Sequence, residues 1–384
     1  MKALIITGER RIEIAEKPLP ELKAGEILVK INYTGFCGSD LNTFLGRNPM
    51  VKLPVIPGHE ISGEIAEVAD GVPEQFRKGQ LCTINPYTNC GHCTSCRNSR
   101  PNACRYNQTL GVQRDGAMCE YIAVPWQKVL TINDMPKEYI ALVEPMSVGF
   151  HAVSRAQITD TDTVMVLGCG MIGIGAIVRA ALRGATVIAV DMDDAKLTLA
   201  RQLGASFTVN SKTEDLHQRI ETITDGAGPD VVVEAVGTSE TYRTAVNEVA
   251  FTGRIVCIGY AKSEIPLETK YFVQKELDIR GSRNALPEDF RAVINYLKRN
   301  TEIASRTRND VVHGSSDCFV PRNDVVHGSS DCFAPRKDGT TENNRKQSII
   351  NNLISGIYTP DTALEALEAW AAAPAKIFRI LIKF

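Results

Sequence analysis

Four cysteines crowd one short stretch of the chain: Cys90, Cys93, Cys96 and Cys104. Thiolates at this spacing can wrap a tetrahedral zinc ion without help from the rest of the fold. A closed shell of four sulfurs leaves no position for a substrate, so this site is expected to be structural. His92 lies inside the loop as a bystander. The chain has 11 cysteines, an odd number, and its first residues read as a strand rather than a secretory leader. Crowded cysteines without a leader point to metal rather than disulfides, and to a reducing, cytoplasmic location.

A second pattern is Gly168-Cys169-Gly170-Met171-Ile172-Gly173. It follows the strand-like run Thr163–Leu167 and opens a helical run, Ile174–Leu182. A second strand-like run, Thr186–Val190, ends at Asp191. This strand, glycine loop, helix, strand and acid form a dinucleotide fingerprint. Gly168, Gly170 and Gly173, with Ile172 between them, let the backbone approach a pyrophosphate at the helix N-terminus. Asp191 would accept hydrogen bonds from the adenosine ribose. Its charge would repel a 2′-phosphate, and Met192, Asp193 and Asp194 follow it rather than arginine, so NAD is favoured over NADP.

The third pattern is dispersed: Cys37, Ser39, His59, Glu60 and Glu144. A catalytic zinc takes three protein ligands and keeps a fourth position open. Cys37, His59 and one carboxylate could supply three. Spacing alone does not decide this, because a lone cysteine and a lone histidine are more often packing residues.

The surrounding elements must hold these groups. A chain of 384 residues suggests two domains. Residues 1–150 read as mostly β, with runs such as Glu26–Ile31 broken by Gly, Pro and Asn. From about 160 to 285, apolar strands (Thr163–Leu167, Thr186–Val190, Val231–Val236, Arg254–Ile258) alternate with helical patterns, the signature of a doubly wound parallel sheet. Residues 308–321 and 322–335 are a tandem repeat differing only at Val320 and Ala334. Two polar units cannot stack a core, so 301–350 is expected to be a disordered insertion. Helical periodicity returns at Thr362–Ala371, and Ile377–Ile382 reads as a last strand. Net charge is -2, which gives no field toward nucleic acid or an anionic membrane.

Taken together and in this order, the motifs resemble the zinc-containing medium-chain dehydrogenase/reductase family. Gly58-His59-Glu60, the four-cysteine lobe, Val143-Glu144-Pro145 and the Gly168–Gly173 loop carry the resemblance, which spans nearly the whole chain except 301–350. The glutamate in Val143-Glu144-Pro145 is similar to the sorbitol dehydrogenase branch. Gly281-Ser282-Arg283-Asn284 with Pro287-Glu288-Asp289-Phe290 is similar to the L-galactonate and L-gulonate 5-dehydrogenases.

The resemblance implies an α/β fold: a Rossmann domain at 151–288 and a β-rich GroES-like catalytic domain at 1–150, to which 289–300 and 351–384 return. It implies a zinc-dependent dehydrogenase with one catalytic and one structural zinc. Such an enzyme passes a hydride from a secondary alcohol of a sugar acid or polyol to NAD. Cys37, His59 and either Glu60 or Glu144 would hold the catalytic ion. Ser39 would take the alcohol proton outward. Many relatives carry a histidine three residues beyond that serine; this chain has Asn42, which cannot ionise. Arg283 and Asn284 are the substrate-side candidates, Arg283 for a carboxylate. The expected partner is a small molecule, and the expected assembly a homodimer or homotetramer. Sorbitol- or threonine-dehydrogenase-like activity is the alternative within this class. Other classes are a silent nucleotide-binding protein and an interaction protein using the repeat.

Overall fold

The computed structural model describes residues 1–261, 263–309 and 349–384. Strands β1 (Lys2–Gly8) and β2 (Arg11–Glu16) form an antiparallel hairpin. β3 (Glu26–Phe36), β4 (Glu60–Val68), β5 (Leu81–Ile84), β6 (Tyr121–Pro125) and β7 (Val129–Thr131) follow. Next come β8 (Thr163–Leu167), β9 (Thr186–Asp191), β10 (Phe207–Asn210), β11 (Val231–Glu234), β12 (Arg254–Cys257) and β13 (Asp278–Gly281). The chain closes with β14 (Gly356–Tyr358) and β15 (Ile380–Lys383).

The last two strands do not extend the second set. They join the first, in a sheet ordered β14-β15-β3-β4-β5-β7, with β6 also on β3. β15 runs antiparallel to β3, with Ile380 opposite Phe36. The second sheet is entirely parallel and ordered β10-β9-β8-β11-β12-β13. That is the doubly wound order, with its switch point between β8 and β11.

The apolar runs seen in the sequence are strands covered on both faces. In β8, Val164 and Val166 join one buried cluster, while Met165 and Leu167 join another on the opposite face. The Val143–Ala156 and Met171–Leu182 helices pack on the first of these faces. Glycines allow them to touch. A Cβ on Gly149 would lie 2.3 Å from the Ile172 carbonyl oxygen, and one on Gly175 would lie 2.7 Å from that of Met146.

Several boundaries differ from the sequence reading: β11 ends at Glu234 rather than Val236, and the last strand starts at Ile380 rather than Ile377. The helix after the glycine loop starts at Met171, because Gly170 already serves as its extended N-cap. A helix runs from Pro287 to Asn309, so the insertion expected at 301–350 begins inside a helix. Its buried Phe290, Val293 and Leu297 belong to the same core as the Val143–Ala156 helix. Beyond Asn309, the tandem repeat lies outside the described residues. No described helix is long and apolar enough to cross a membrane.

Candidate active site

Three strand ends meet where the dispersed residues lie. β3 ends at Phe36, and Cys37 caps the Gly38–Phe44 helix. The buried Asp40 carboxylate accepts the Cys37 N–H at 2.8 Å and the Gly58 N–H at 3.4 Å, fixing both approaches. β4 begins at Glu60, directly opposite Gly35. A Cβ on Gly35 would come within 2.2 Å of Glu60 Oε2, so only glycine leaves room for that carboxylate. The Gly58 turn, at φ +98°, rests on a second loop. The Gly116 and Ala117 N–H groups donate to the Ile56 and Gly58 carbonyls, and Asp115 accepts the Ile56 N–H at 2.9 Å.

The ligand atoms of Cys37, His59 and Glu60 all lie within 4.8 Å of one another. Glu60 is fully buried and His59 nearly so. Glu144 stands beside this group rather than within it. It sits in the first turn of its helix, where Pro145 costs no hydrogen bond and a negative charge is favourable. The buried Tyr87 hydroxyl donates to its Oε1.

Electrostatics favour a cation here. Burial raises Glu60 well above the usual carboxylate range, against the pull of Arg379. Burial would lower His59, but the Cys37 sulfur, Asp40 and Glu144 more than offset it and leave it well raised. Burial raises Cys37, yet His59 and Arg379 bring it below its ordinary value. Among the described residues, Ser39 Oγ, His59 Nδ1 and Glu60 Oε2 are buried without a hydrogen-bond or ion-pair partner. Such atoms are costly unless something fills the space between them. Soft sulfur, imidazole and carboxylate donors converging on one point suit a zinc ion with an open position.

The four-cysteine lobe differs in shape. Its Sγ separations are 3.6 Å (Cys93–Cys96), 3.7 Å (Cys93–Cys104), 3.6 Å (Cys90–Cys104) and 4.0 Å (Cys90–Cys96). Sulfurs about 2.3 Å from a central zinc would be about 3.8 Å apart in a tetrahedron. Backbone N–H groups of Cys96 and Arg105 draw Cys93 down to about 6. His92 turns its Nδ1 to the Cys90 carbonyl, 2.9 Å away, and not to the sulfurs.

The glycine loop lies at the switch point. Gly168 has φ +92°, and a Cβ on Gly173 would meet the Gly168 carbonyl oxygen at 1.8 Å. A Cβ on Gly170 would meet nothing within 4 Å, which leaves the approach to the helix N-terminus open. Asp191 Oδ2 accepts the Cys169 N–H at 2.7 Å, and Oδ1 accepts those of Met192 and Asp193. The acid is thereby fixed beside the loop. Cys169 itself is buried under it.

Comparison with known proteins agrees with this geometry. Residues 23–134 match the alcohol dehydrogenase GroES-like domain, and residues 172–299 match the zinc-binding dehydrogenase family. A sorbitol dehydrogenase of Bacillus subtilis is 35% identical over 288 residues, covering 73% of this chain and 81% of the relative. An L-galactonate-5-dehydrogenase of Escherichia coli K12 is 32% identical over 294 residues, covering 76% and 86%. The chain belongs to the zinc-type alcohol dehydrogenase family. A crystal structure of an E. coli CFT073 protein described as a short chain alcohol dehydrogenase, complexed with NADH, superposes with TM-score 0.81 at 25% identity. The match covers 100% of this chain and 99% of that one. This zinc-type dehydrogenase is thus a polyol- or sugar-dehydrogenase-like oxidoreductase acting on a small molecule, and zinc and NAD(H) are the typical cofactors of its relatives.

Two residues of the dehydrogenase's site were missed in the sequence. Arg379 reaches in from just before β15, pairs with Glu60 at 2.9 Å and donates to the Phe36 carbonyl at 2.6 Å. Tyr87 holds Glu144. Nothing local marks either one; only the return of β15 to β3 could have pointed to Arg379. The backbone of Arg283 and the side chain of Asn284 are tied to the four-cysteine lobe. The Arg283 carbonyl and the Asn284 amide both bond Asn102, in the four-cysteine lobe.

Proposed function

We propose that the chain oxidises a secondary alcohol of a polyol or sugar acid, with NAD rather than NADP as acceptor. The carrying observation is the buried convergence of Cys37, His59 and Glu60 next to the unpartnered Ser39 hydroxyl. In this reading those three side chains hold the catalytic zinc, Glu144 stands behind them, and Cys90, Cys93, Cys96 and Cys104 hold a structural one. When bound, the zinc supplies Lewis-acid polarisation of the hydroxyl and the dinucleotide supplies the hydride acceptor.

The protein's own part is placement and proton handling. Ser39 Oγ receives the hydroxyl proton. Asn42, whose amide donates to the Gly38 carbonyl at 2.9 Å, cannot carry it further. The outward route therefore runs through water or a cofactor hydroxyl. Gly168, Gly170, Ile172 and Gly173 cradle the pyrophosphate. Asp191, held by three N–H donors, takes the ribose hydroxyls and repels a 2′-phosphate. Residues 1–150 with 289–300 and 351–384 form the catalytic domain on this reading, and 151–288 the dinucleotide domain. Arg283 remains the candidate for a substrate carboxylate, and the assembly is a homodimer or homotetramer.

The test is NADH formation from hexonates, polyols, threonine and simple alcohols, with and without a zinc chelator. Chelator-sensitive oxidation of polyols or hexonates is expected. Turnover of simple alcohols alone, or turnover indifferent to the chelator, would sink the reading. A preference for hexonates that Arg283→Ala abolishes would narrow the substrate to sugar acids.

A further inference from the structure

Away from the two metal-type clusters, one buried polar chain joins three parts of the molecule. Asn102 lies in the turn Pro101–Ala103, just before Cys104, and is 6% exposed. Its Nδ2 is 3.0 Å from His151 Nε2 and 2.7 Å from the Arg283 carbonyl oxygen. The Asn284 amide donates back to the Asn102 carbonyl at 2.9 Å. On its other side, His151 Nδ1 is 2.8 Å from Asp289 Oδ2, which also accepts the Leu286 N–H at 3.0 Å. His151 and Asp289 are both buried.

Donor and acceptor types assign the protons. A backbone carbonyl only accepts, so the Asn102 group facing Arg283 is its NH2. That same NH2 faces His151 Nε2, which must therefore accept. The imidazole proton is left on Nδ1, where Asp289 takes its hydrogen bond. An added proton on Nε2 would stand against the Asn102 NH2. Turning the amide over would relieve this, but would set Oδ1 against the Arg283 carbonyl. Each bond in the chain thus depends on the next.

We propose that Asn102 is a positioning residue that latches the four-cysteine lobe, through His151, to the Arg283–Asp289 segment. Metal retention in the lobe and order in that segment are then one coupled equilibrium. His151 lies on the Val143–Ala156 helix, seven residues beyond Glu144 and so on the same face. The latch also steadies the helix that brings Glu144 beside Cys37 and His59. The proposal rests on the reading of the lobe as a zinc site. Because coupling between two sites is reciprocal, it must be visible from both ends.

The experiment uses the full-length zinc-loaded protein. From one end, zinc release to a colorimetric chelator is timed in wild type, Asn102→Ala and His151→Leu; the phase missing in Cys93→Ser protein is the lobe's. From the other end, backbone amide exchange over 281–289 is followed by mass spectrometry in Cys93→Ser protein. The expected result is lobe release about tenfold faster in both latch variants, and faster exchange over 281–289 when the lobe is emptied. His151→Gln, which can both donate to Asp289 and accept from Asn102, should restore slow release. That recovery separates the latch from a general loss of packing, and it carries the test with Asn102→Ala if His151→Leu does not fold. Unchanged release in Asn102→Ala, or unchanged exchange in Cys93→Ser protein, would overturn the latch. Zinc content that Cys93→Ser leaves at the wild-type value would overturn the zinc reading of the lobe itself.

Discussion

The two cysteine-bearing clusters solve opposite problems. The lobe draws all four donors from residues 90–104, lies partly open to solvent, and sets its sulfurs at the corners of a closed tetrahedron. The Cys37 cluster draws on the ends of β3, β4 and β15 and on the Val143–Ala156 helix, buries His59 and Glu60 behind a half-buried Cys37, and leaves polar atoms without partners. A closed local cluster fixes structure, because nothing else can enter it. An open cluster assembled from distant strands can do chemistry, but only when the whole fold is in place. The unsatisfied atoms of the second cluster are therefore the mark of function, and the satisfied geometry of the first is the mark of a staple.

Removing a donor from each side tests that contrast hardest. His59→Ala should cut turnover about a thousandfold, the equivalent of about 4 kcal/mol of lost Lewis-acid stabilisation, with little change in thermal unfolding. Steady-state kinetics alongside calorimetry would show it; a loss under tenfold would remove the cluster from the chemistry. Next in size is Arg379→Met. It leaves Glu60 buried without its cation, which costs about 3–5 kcal/mol when a buried pair is broken from one side. Denaturant unfolding should show this cost in metal-stripped protein and a smaller one after zinc is restored. Equal costs in both states would mean that no metal charge reaches Glu60. Cys93→Ser should behave in the opposite way to His59→Ala. Zinc content falls by one ion per chain, stability falls by about 2–3 kcal/mol, and turnover per folded molecule falls by less than tenfold. A thousandfold loss of turnover there would erase the distinction between the clusters.

The same contrast explains what the sequence let one read. The lobe and the glycine loop were legible because their spacing is local: four cysteines in one loop, and Gly168–Gly173 between a strand and a helix that ends before Asp191. Cys37 and His59 were legible as residue types, but their meeting depends on β3 lying beside β4. Arg379 was invisible, since an arginine ahead of a strand near the end of a chain is ordinarily on the surface. It becomes a core residue only because β15 inserts beside β3 and places Ile380 against Phe36. Tyr87 was hidden for the same reason: its partner Glu144 is 57 positions away. Four of the six strands of the parallel sheet were read to within two residues, because runs covered on both faces are apolar throughout; β10 and β13, the partly exposed edge strands, were not read. The Val143–Ala156 helix was not, since residues 1–150 were read as mostly β, yet Pro145 is tolerated in a helix's first turn.

The smallest predicted effect decides between two carboxylates that the sequence could not separate. Glu60 shares the 4.8 Å cluster with Cys37 and His59, whereas Glu144 has committed one oxygen to the Tyr87 hydroxyl. Tyr87 is a neutral donor, since burial and then the Glu144 charge raise its phenol well above the ordinary value. Tyr87→Phe keeps the ring against Phe290, 6.2 Å away between centroids, and removes only the hydroxyl. A hydrogen bond to a charged group contributes about 1.5–3 kcal/mol, part of which water can replace, so turnover should fall about tenfold. If Glu144 only stands behind the metal, Glu144→Gln should fall by a similar factor and keep its full zinc content, while Glu60→Gln loses zinc. If Glu144 is itself a ligand, Glu144→Gln should fall as far as His59→Ala and lose an ion, and the Val143–Ala156 helix would supply a ligand beside those from the ends of β3 and β4. Zinc content measured beside kcat for the three variants separates these outcomes, and the placement of Glu60 opposite Gly35 favours the first.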